Sequence, residues 1–276
     1  MPHKAQYILH KIMDYTLKTH RHLLTGLKNA GYRFIHLGKY LESSARKMVI
    51  LRHDVDAKPG SAIRMAAIES EYGVYSSYYF RARKGNFERN VIFEIAKDGH
   101  EIGYHYEDLA TCNGDHKAAI KSFERNLKAL RKIAPVSTIC MHGSPLARYD
   151  NRDLWKHYDY RDFGIIAEPY FDIDFSKVLY LTDTGRRWDG HRFAVRDTVS
   201  GEHNHKAGTA PRAPVCRTTF DIIRALEANQ LPDQIMLTFH PQRWTNNPLL
   251  WTQELILQNV KNVAKLALKK VRRGSR

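Results

Sequence analysis

Apolar and polar positions along this chain alternate between a helical and a strand-like period. Over residues 14–29 the apolar side chains recur at helical spacing and Gly31 follows as a stop, which predicts a helix leading into a short strand over 32–37. A second helix over 38–46 precedes the run Met48-Val49-Ile50-Leu51, which reads as a buried strand. Pro59-Gly60-Ser61 opens a helix over 62–72 that Gly73 terminates. The pattern then repeats as strand 74–80, helix 87–97, a turn at Asp98-Gly99, strand 100–105, helix 115–132 and strand 137–141. From about Ser144 to Arg212 the periodicity breaks down into polar and aromatic sequence, expected to form loops and short strands around a site mouth. A helix over 218–229, a strand over 234–239 and a last helix over 250–268 complete the chain. Repeated strand-helix alternation predicts an α/β fold with a parallel sheet, open or closed into a barrel, and functional residues at the carboxyl ends of its strands.

With 276 residues, 43% apolar and 11% aromatic, the chain can bury the core of one large domain. We read residues 1–276 as a single catalytic domain, with a helical N-terminal region over about 1–46 and a basic C-terminal helix and tail over about 250–276. No stretch approaches the ~20 apolar residues of a membrane span, and the first residues lack a hydrophobic secretion segment. The expected location is cytoplasmic, with a peripheral position at the inner face of the membrane as the other setting. Three scattered cysteines, Cys112, Cys140 and Cys216, make neither a disulfide framework nor a thiolate zinc site and agree with a reducing compartment. The formal charge of +15 points to an anionic partner. Zinc-finger spacing and RNA-recognition aromatics are both missing, so no nucleic acid is expected; the basic residues are spread out, with one cluster at Lys269, Lys270, Arg272, Arg273 and Arg276.

Chemistry concentrates where strands end. The strand from Met48 finishes in His53-Asp54-Val55-Asp56, and two carboxylates one residue apart on a strand leave the same face. One can hold a metal while the other takes a proton, because a bound cation and unequal burial separate their proton affinities. In strand 100–105, alternation sets Glu101, Gly103, His105 and Glu107 opposite His100, Ile102 and Tyr104. A polar face at a strand end is costly to bury unless a metal or a hydrogen-bond network satisfies it, which marks His105 as a candidate ligand. Two more apolar strands run directly into His142-Gly143-Ser144-Pro145 and His240-Pro241-Gln242-Arg243-Trp244. With His53 and His105 these put four strand-end histidines near two aspartates, the donor set of a mononuclear divalent-metal site with an acid-base partner.

Arg52-His53-Asp54-Val55-Asp56, Gly99-His100-Glu101-Ile102-Gly103-Tyr104-His105 and Leu237-Thr238-Phe239-His240 resemble successive motifs of the polysaccharide deacetylase superfamily, carbohydrate esterase family 4. Ile139-Cys140-Met141-His142-Gly143-Ser144-Pro145 and Thr182-Asp183-Thr184-Gly185-Arg186-Arg187-Trp188 more narrowly resemble its branch associated with lipopolysaccharide O-antigen biosynthesis. The resemblance implies a distorted (β/α)7 barrel and metal-dependent removal of an acyl group from an amino sugar. By position, Asp54 matches the catalytic base, Asp56 the metal aspartate, His105 the first metal histidine and His240 the general acid. The family places a second ligand histidine shortly after the first, where Leu109 stands here. The third ligand is therefore open among His142, Glu107 and Asp108, with His142 preferred because it follows a separate strand and can approach across the barrel mouth. The family's arginine motif on that strand is also replaced, which leaves the partner of Asp54 open.

The activity expected is hydrolysis of an N-acetyl or N-formyl group during lipopolysaccharide O-antigen or related glycan biosynthesis, with one divalent ion, zinc first and cobalt, nickel or iron as alternatives. Asp54 would take a proton from water and His240 would protonate the departing amine. Tyr104, Trp188 and Trp244 could stack on sugar faces, and Arg243, Arg81 or Arg186 could hold a phosphate. The expected substrate is a small or lipid-linked amino sugar, and an anionic membrane surface is a further partner. Two other readings compete. An Asp-x-Asp glycosyltransferase leaves His105 and His240 without a task, and a degenerate barrel would bind sugar without turnover.

Overall fold

The computed structural model describes residues 13–83, 87–143, 147–189 and 214–274. The first twelve residues, Ser144 and Pro145, residues 190–212 of the expected irregular stretch and Arg276 of the basic tail lie outside them. Among the described residues seven strands form one parallel sheet: β1 (Arg33–Phe34), β2 (Met48–Val55), β3 (Ser77–Phe80), β4 (Glu101–Tyr106), β5 (Thr138–Met141), β6 (Leu179–Thr182) and β7 (Gln234–Phe239). Their order is β5-β4-β3-β2-β7-β6, with β1 beside the first residues of β2. The α-helices are α1 (Leu17–Asn29), α2 (Leu37–Tyr40), α3 (Gly60–Glu71), α4 (Arg89–Lys97), α5 (Asp108–Thr111), α6 (His116–Arg131), α7 (Pro169–Asp172), α8 (Thr219–Glu227) and α9 (Pro248–Gly274).

Local chemistry sets the boundaries. Thr16 and Asp115 cap α1 and α6 by accepting from Thr19 N and Ala118 N, each at 3.0 Å, and Thr218 with Asp221 closes a capping box on α8. Gly31 leaves α1 at φ 80°, a conformation that favours glycine. The helix predicted over 38–46 shrinks to Leu37–Tyr40. Beyond it Ser43 Oγ accepts from Ala45 N at 3.3 Å, offering the backbone an alternative to helical pairing. The strand predicted over 32–37 reduces to Arg33–Phe34, which pairs with Met48 and Val49 only.

The sheet is strongly curled. Strands β5 and β7 are four strand spacings apart, which in a flat sheet is about 19 Å. Yet His142, just past β5, and His240, just past β7, both bring a ring nitrogen within 4 Å of Asp56. The seven parallel strands thus form a distorted, open (β/α) barrel. Strand β2 is buried along its whole length, as a central parallel strand covered on both faces must be.

Alternation divides the barrel into an apolar floor and a polar mouth. Ile50, Tyr79, Cys140, Tyr180 and Met236 pack on the inside with Leu37, Ile173 and Phe175. The next inward positions along the strands are Arg52, Asp54, His105 and Thr238. Outside the sheet, Tyr78, Ile102, Tyr104 and Phe123 pack beneath α3 to α6, and Leu23, Leu27, Ile222 and Leu226 pack where α1 meets α8.

Gly103 on β4 lies directly under the Tyr79 ring, whose hydroxyl donates to Thr138 Oγ1 at 3.1 Å. A methyl group there would overlap the pinned ring. Gly103→Ala is expected to destabilise the fold by about 1–3 kcal/mol, the usual cost of overpacking, read as a lower denaturant midpoint at unchanged slope. Unaltered stability would show that the ring has somewhere else to go.

Candidate metal and acid-base site

Three inward side chains of one strand segment start the site. Arg52, Asp54 and Asp56 share a face because strand residues two apart do, and His53 and Val55 take the other. Arg52 is buried and grips Asp54 with a two-pronged fork, Nε to Oδ1 at 2.9 Å and Nη2 to Oδ2 at 2.7 Å. Burial pushes the Asp54 carboxyl up, but Arg52 and then His105 outweigh it and leave it below the usual carboxylate value. The partner of Asp54 therefore comes from its own strand, two residues earlier.

Asp56 faces three histidines. His105 Nε2 lies 3.6 Å and His142 Nε2 3.5 Å from Asp56 Oδ1, while His240 Nε2 is 3.8 Å from Oδ2. Each of the first two rings is aimed by its other nitrogen. His105 Nδ1 donates to Cys140 O at 2.8 Å, and His142 Nδ1 donates to Glu107 Oε2 at 2.8 Å. Both Nε2 lone pairs are thereby left for an electrophile. Burial, only partly offset by Asp54 and Asp56, lowers His105 to about 4 and keeps it neutral at physiological pH.

The donor set fits a divalent ion. Asp56, His105 and His142 place one ligand atom each within 4.8 Å of one another, and Asp56 Oδ1 is buried with no hydrogen-bond partner among the described residues. Two ligands about 2.1 Å from a tetrahedral centre stand roughly 3.4 Å apart, close to the observed separations. A second set, Asp54, His105 and Cys140, meets the same distance criterion. Both Asp54 oxygens already accept from Arg52, which makes the Asp56 set the better match.

His240 is anchored separately. Its Nδ1 donates to Asp183 Oδ1 at 2.6 Å and its backbone N to Oδ2 at 3.0 Å. Asp183 also accepts from Arg243 Nη1 and, at 2.8 Å, from Trp244 Nε1. Burial would raise this carboxyl, yet Arg243 and His240 outweigh it and hold it at about 2.

Several predicted residues have other tasks. Glu107 is held from both sides by His142 and by two nitrogens of Arg81, which keep it at about 2 against burial. It backs the His142 ring, and Arg81 is committed to it. Asp108 is buried on the outer side of β4, accepting from Tyr104, Ser122 and Asn126. Tyr104, Trp188 and Trp244 have almost no exposed surface and cannot stack on a sugar. Tyr104 fills the outer core, Trp188 donates to Thr219 Oγ1 at 2.9 Å and Trp244 donates to Asp183. Arg243 is buried behind His240, and Arg186 lies between the rings of Tyr15 and Trp251, 4.8 Å from each, so neither offers a phosphate site. His53 points out of the barrel, where it stacks on Tyr78 at 4.1 Å and sits 2.8 Å from the buried Glu69. Alternation, applied to β2 as it was to β4, forbids it from joining its neighbours. Sequence reasoning assigned no role to Arg52 or Asp183, although Arg52 had the same two-residue spacing that united the aspartates.

No family model and no curated protein matches the chain. Among solved structures it is similar to a carbohydrate esterase family 4 pseudoenzyme from Bacillus anthracis, at 13% identity and TM-score 0.45 over 81% of this chain and 63% of that one. It thus spans less than two thirds of that protein's length. A family 4 carbohydrate esterase from Streptococcus mutans is 12% identical with TM-score 0.43, covering 83% and 85% of the two chains. The peptidoglycan deacetylase PdaC from Bacillus subtilis is 14% identical with TM-score 0.38, covering 84% and 98%.

Two outcomes test the geometry. Asp56→Ala and His105→Ala should abolish stoichiometric uptake of a divalent ion, while Glu107→Gln weakens it by about 10–100-fold as loss of a supporting partner does. Elemental analysis after dialysis reads this, and full occupancy in Asp56→Ala would refute the site. Arg52→Ala, which strands a buried carboxylate, should cost about 3–5 kcal/mol in denaturant unfolding. Arg52→Ala with Asp54→Ala should recover part of that loss, and a purely additive double variant would deny the coupling.

Proposed function

We propose that this chain is a metal-dependent hydrolase that removes an N-acyl group from an amino sugar. The observation that carries the reading is a pair of independently anchored proton-transfer groups, Asp54 on Arg52 and His240 on Asp183, flanking Asp56, His105 and His142. An ester needs little help with its leaving group. An amide does, because an unprotonated amine departs poorly, and a site with a separate base and acid suits it.

Asp56, His105 and His142 would hold the ion, and their mixed nitrogen and oxygen donors suit zinc. Such an ion supplies Lewis acidity, which favours ionisation of water near neutral pH and draws electrons from an acyl carbonyl. Asp54 is ionised throughout that range and accepts the proton that water gives up as its oxygen bonds to the acyl carbon. Arg52 keeps the carboxylate from turning away. As the carbon–nitrogen bond breaks, His240 delivers a proton from Nε2 to the amine, while Asp183 fixes the ring through Nδ1. Each transfer contributes roughly 10²–10⁴-fold.

The geometry disfavours a glycosyltransferase. In that chemistry both carboxylates of Asp-x-Asp serve the nucleotide-bound metal, and here the Arg52 fork turns Asp54 away from sharing that task with Asp56. The +15 charge supports an anionic substrate, a nucleotide-linked or lipid-linked amino sugar, and Lys58 and Arg64 line a small cleft just past Asp56. With the motif phrases around His142 and Asp183, this favours a role in lipopolysaccharide O-antigen or related glycan assembly inside the cell.

Purified protein reconstituted with single metals should release acetate or formate from an N-acylated nucleotide amino sugar. Asp54→Asn should retain the metal and lose about 10²–10⁴-fold in kcat. His240→Ala should lose kcat more than KM on the amide, with a smaller defect on an activated aryl ester whose leaving group needs no proton. Sugar transfer without acyl release, or wild-type turnover in metal-loaded Asp54→Asn, would overturn the proposal.

A further inference from the structure

Arg52 is 1% exposed, so its N–H groups cannot turn to water for partners. A guanidinium carries five N–H bonds. The fork to Asp54 draws on Nε and Nη2, which leaves one hydrogen on Nη2 and both on Nη1 to be placed. Tyr170 meets this remainder: its hydroxyl oxygen accepts from Nη1 and from Nη2, each at 3.4 Å. Both bonds are long, so their weight is geometric. A two-pronged fork keeps its carboxylate aimed only while the guanidinium plane stays fixed, and the tyrosine closes the flank that Asp54 leaves open.

The ring adds a second contact. Its centre is 5.4 Å from the guanidinium carbon of Arg52 and 5.2 Å from that of Arg152. Two like charges can share one ring because each brings its own carboxylate. Arg152 is forked on Asp150 as Arg52 is on Asp54, with Nε to Oδ1 at 3.0 Å and Nη2 to Oδ2 at 2.7 Å. Both cations then gain from the π electrons between them.

Tyr170 is itself held in place. It stands on α7, which Glu168 caps: Oε2 accepts from Tyr170 N at 2.6 Å, and Oε1 accepts from Met141 N at 3.0 Å. Glu168 N in turn donates to Asp172 Oδ2 at 2.6 Å. Glu168 is fully buried, so water does not compete for these bonds. One carboxylate thus ties α7 to the last residue of β5, directly before His142. A tyrosine on so short a helix keeps a fixed position because its backbone is fastened to the sheet.

We propose that Tyr170 is a positioning residue for Asp54, acting through Arg52 by holding the guanidinium in the plane that aims the carboxylate. This role rests on Asp54 being the base of the proposed hydrolysis, whereas the hold on Arg52 has a readout of its own. In protein labelled with 15N-arginine, the Arg52 Nε–H, assigned by its loss in Arg52→Lys, should exchange slowly with solvent. In Tyr170→Leu it should exchange at least about tenfold faster, while the buried Arg243 keeps its rate. For acyl release, Tyr170→Leu should lose about 10–100-fold in kcat at nearly unchanged KM. Tyr170→Phe, which keeps the ring, should lose less. In an Arg52→Lys background Tyr170→Leu should cost little more, since lysine cannot make the fork that Tyr170 holds. Should Tyr170→Leu misfold, Tyr170→Phe is expected to speed Arg52 exchange by a smaller factor. Unchanged Arg52 exchange, or an equal acceleration at Arg243, would overturn the proposal. So would the same loss of kcat with Arg52 and with Arg52→Lys, because Tyr170 would then act without Arg52. A wild type that shows the exchange pattern but releases no acyl group would refute the hydrolase reading and leave the hold on Arg52 standing.

Discussion

Arg52 and Asp54 are opposite charges held out of water on β2, a strand buried along its whole length. Such a pair repays its desolvation only with good geometry, and the two-pronged fork supplies it. The guanidinium also lies 5.4 Å from the Tyr170 ring centre. The fork places one hydrogen bond on each Asp54 oxygen, whereas Asp56 Oδ1 has no hydrogen-bond partner among the described residues. Two chemically identical side chains two residues apart are thereby given different surroundings.

The three site histidines show a second constraint, that a ring does useful chemistry at one nitrogen only when the other is occupied. Behind His105 stands a backbone carbonyl, behind His142 the Glu107–Arg81 pair, and behind His240 a carboxylate that also serves Arg243 and Trp244. These anchors come from different strand ends and loops. The curl of the sheet is what allows rings from β4, β5 and β7 to face one aspartate from β2.

A separate polar cluster lies on the opposite face of the same strands. Glu69 of α3 reaches His20 of α1 at 3.0 Å and accepts from Tyr78 OH at 2.8 Å, with His53 beside it. Burial would raise this carboxyl, but His53 and His20 outweigh it and leave it well below its usual value. The cluster ties α1 to α3 across the back of β2. It also explains how a strand-end histidine can be buried and polar without belonging to the site.

Period and punctuation along the chain were enough to locate the strand-helix alternation, most of the helices, and the strand ends bearing Asp54, Asp56, His105, His142 and His240, because those signals are local. The helix predicted over 38–46 came out as the shorter α2 because Ser43 Oγ accepts from Ala45 N, a competition that periodicity does not register. Other assignments required the fold. Tyr104, Trp188 and Trp244 read equally well as sugar platforms or core, and only packing shows that their surfaces are taken. Glu107 and Asp183 became legible once separate strand ends set them against His142 and His240, contacts that span thirty-five and fifty-seven residues along the chain. Which face of α9 points outward was likewise undecided by its sequence, since its polar face could have been taken for the wet one. Long-range hydrogen bonds to Gly185 and Asp14 turned that face inward.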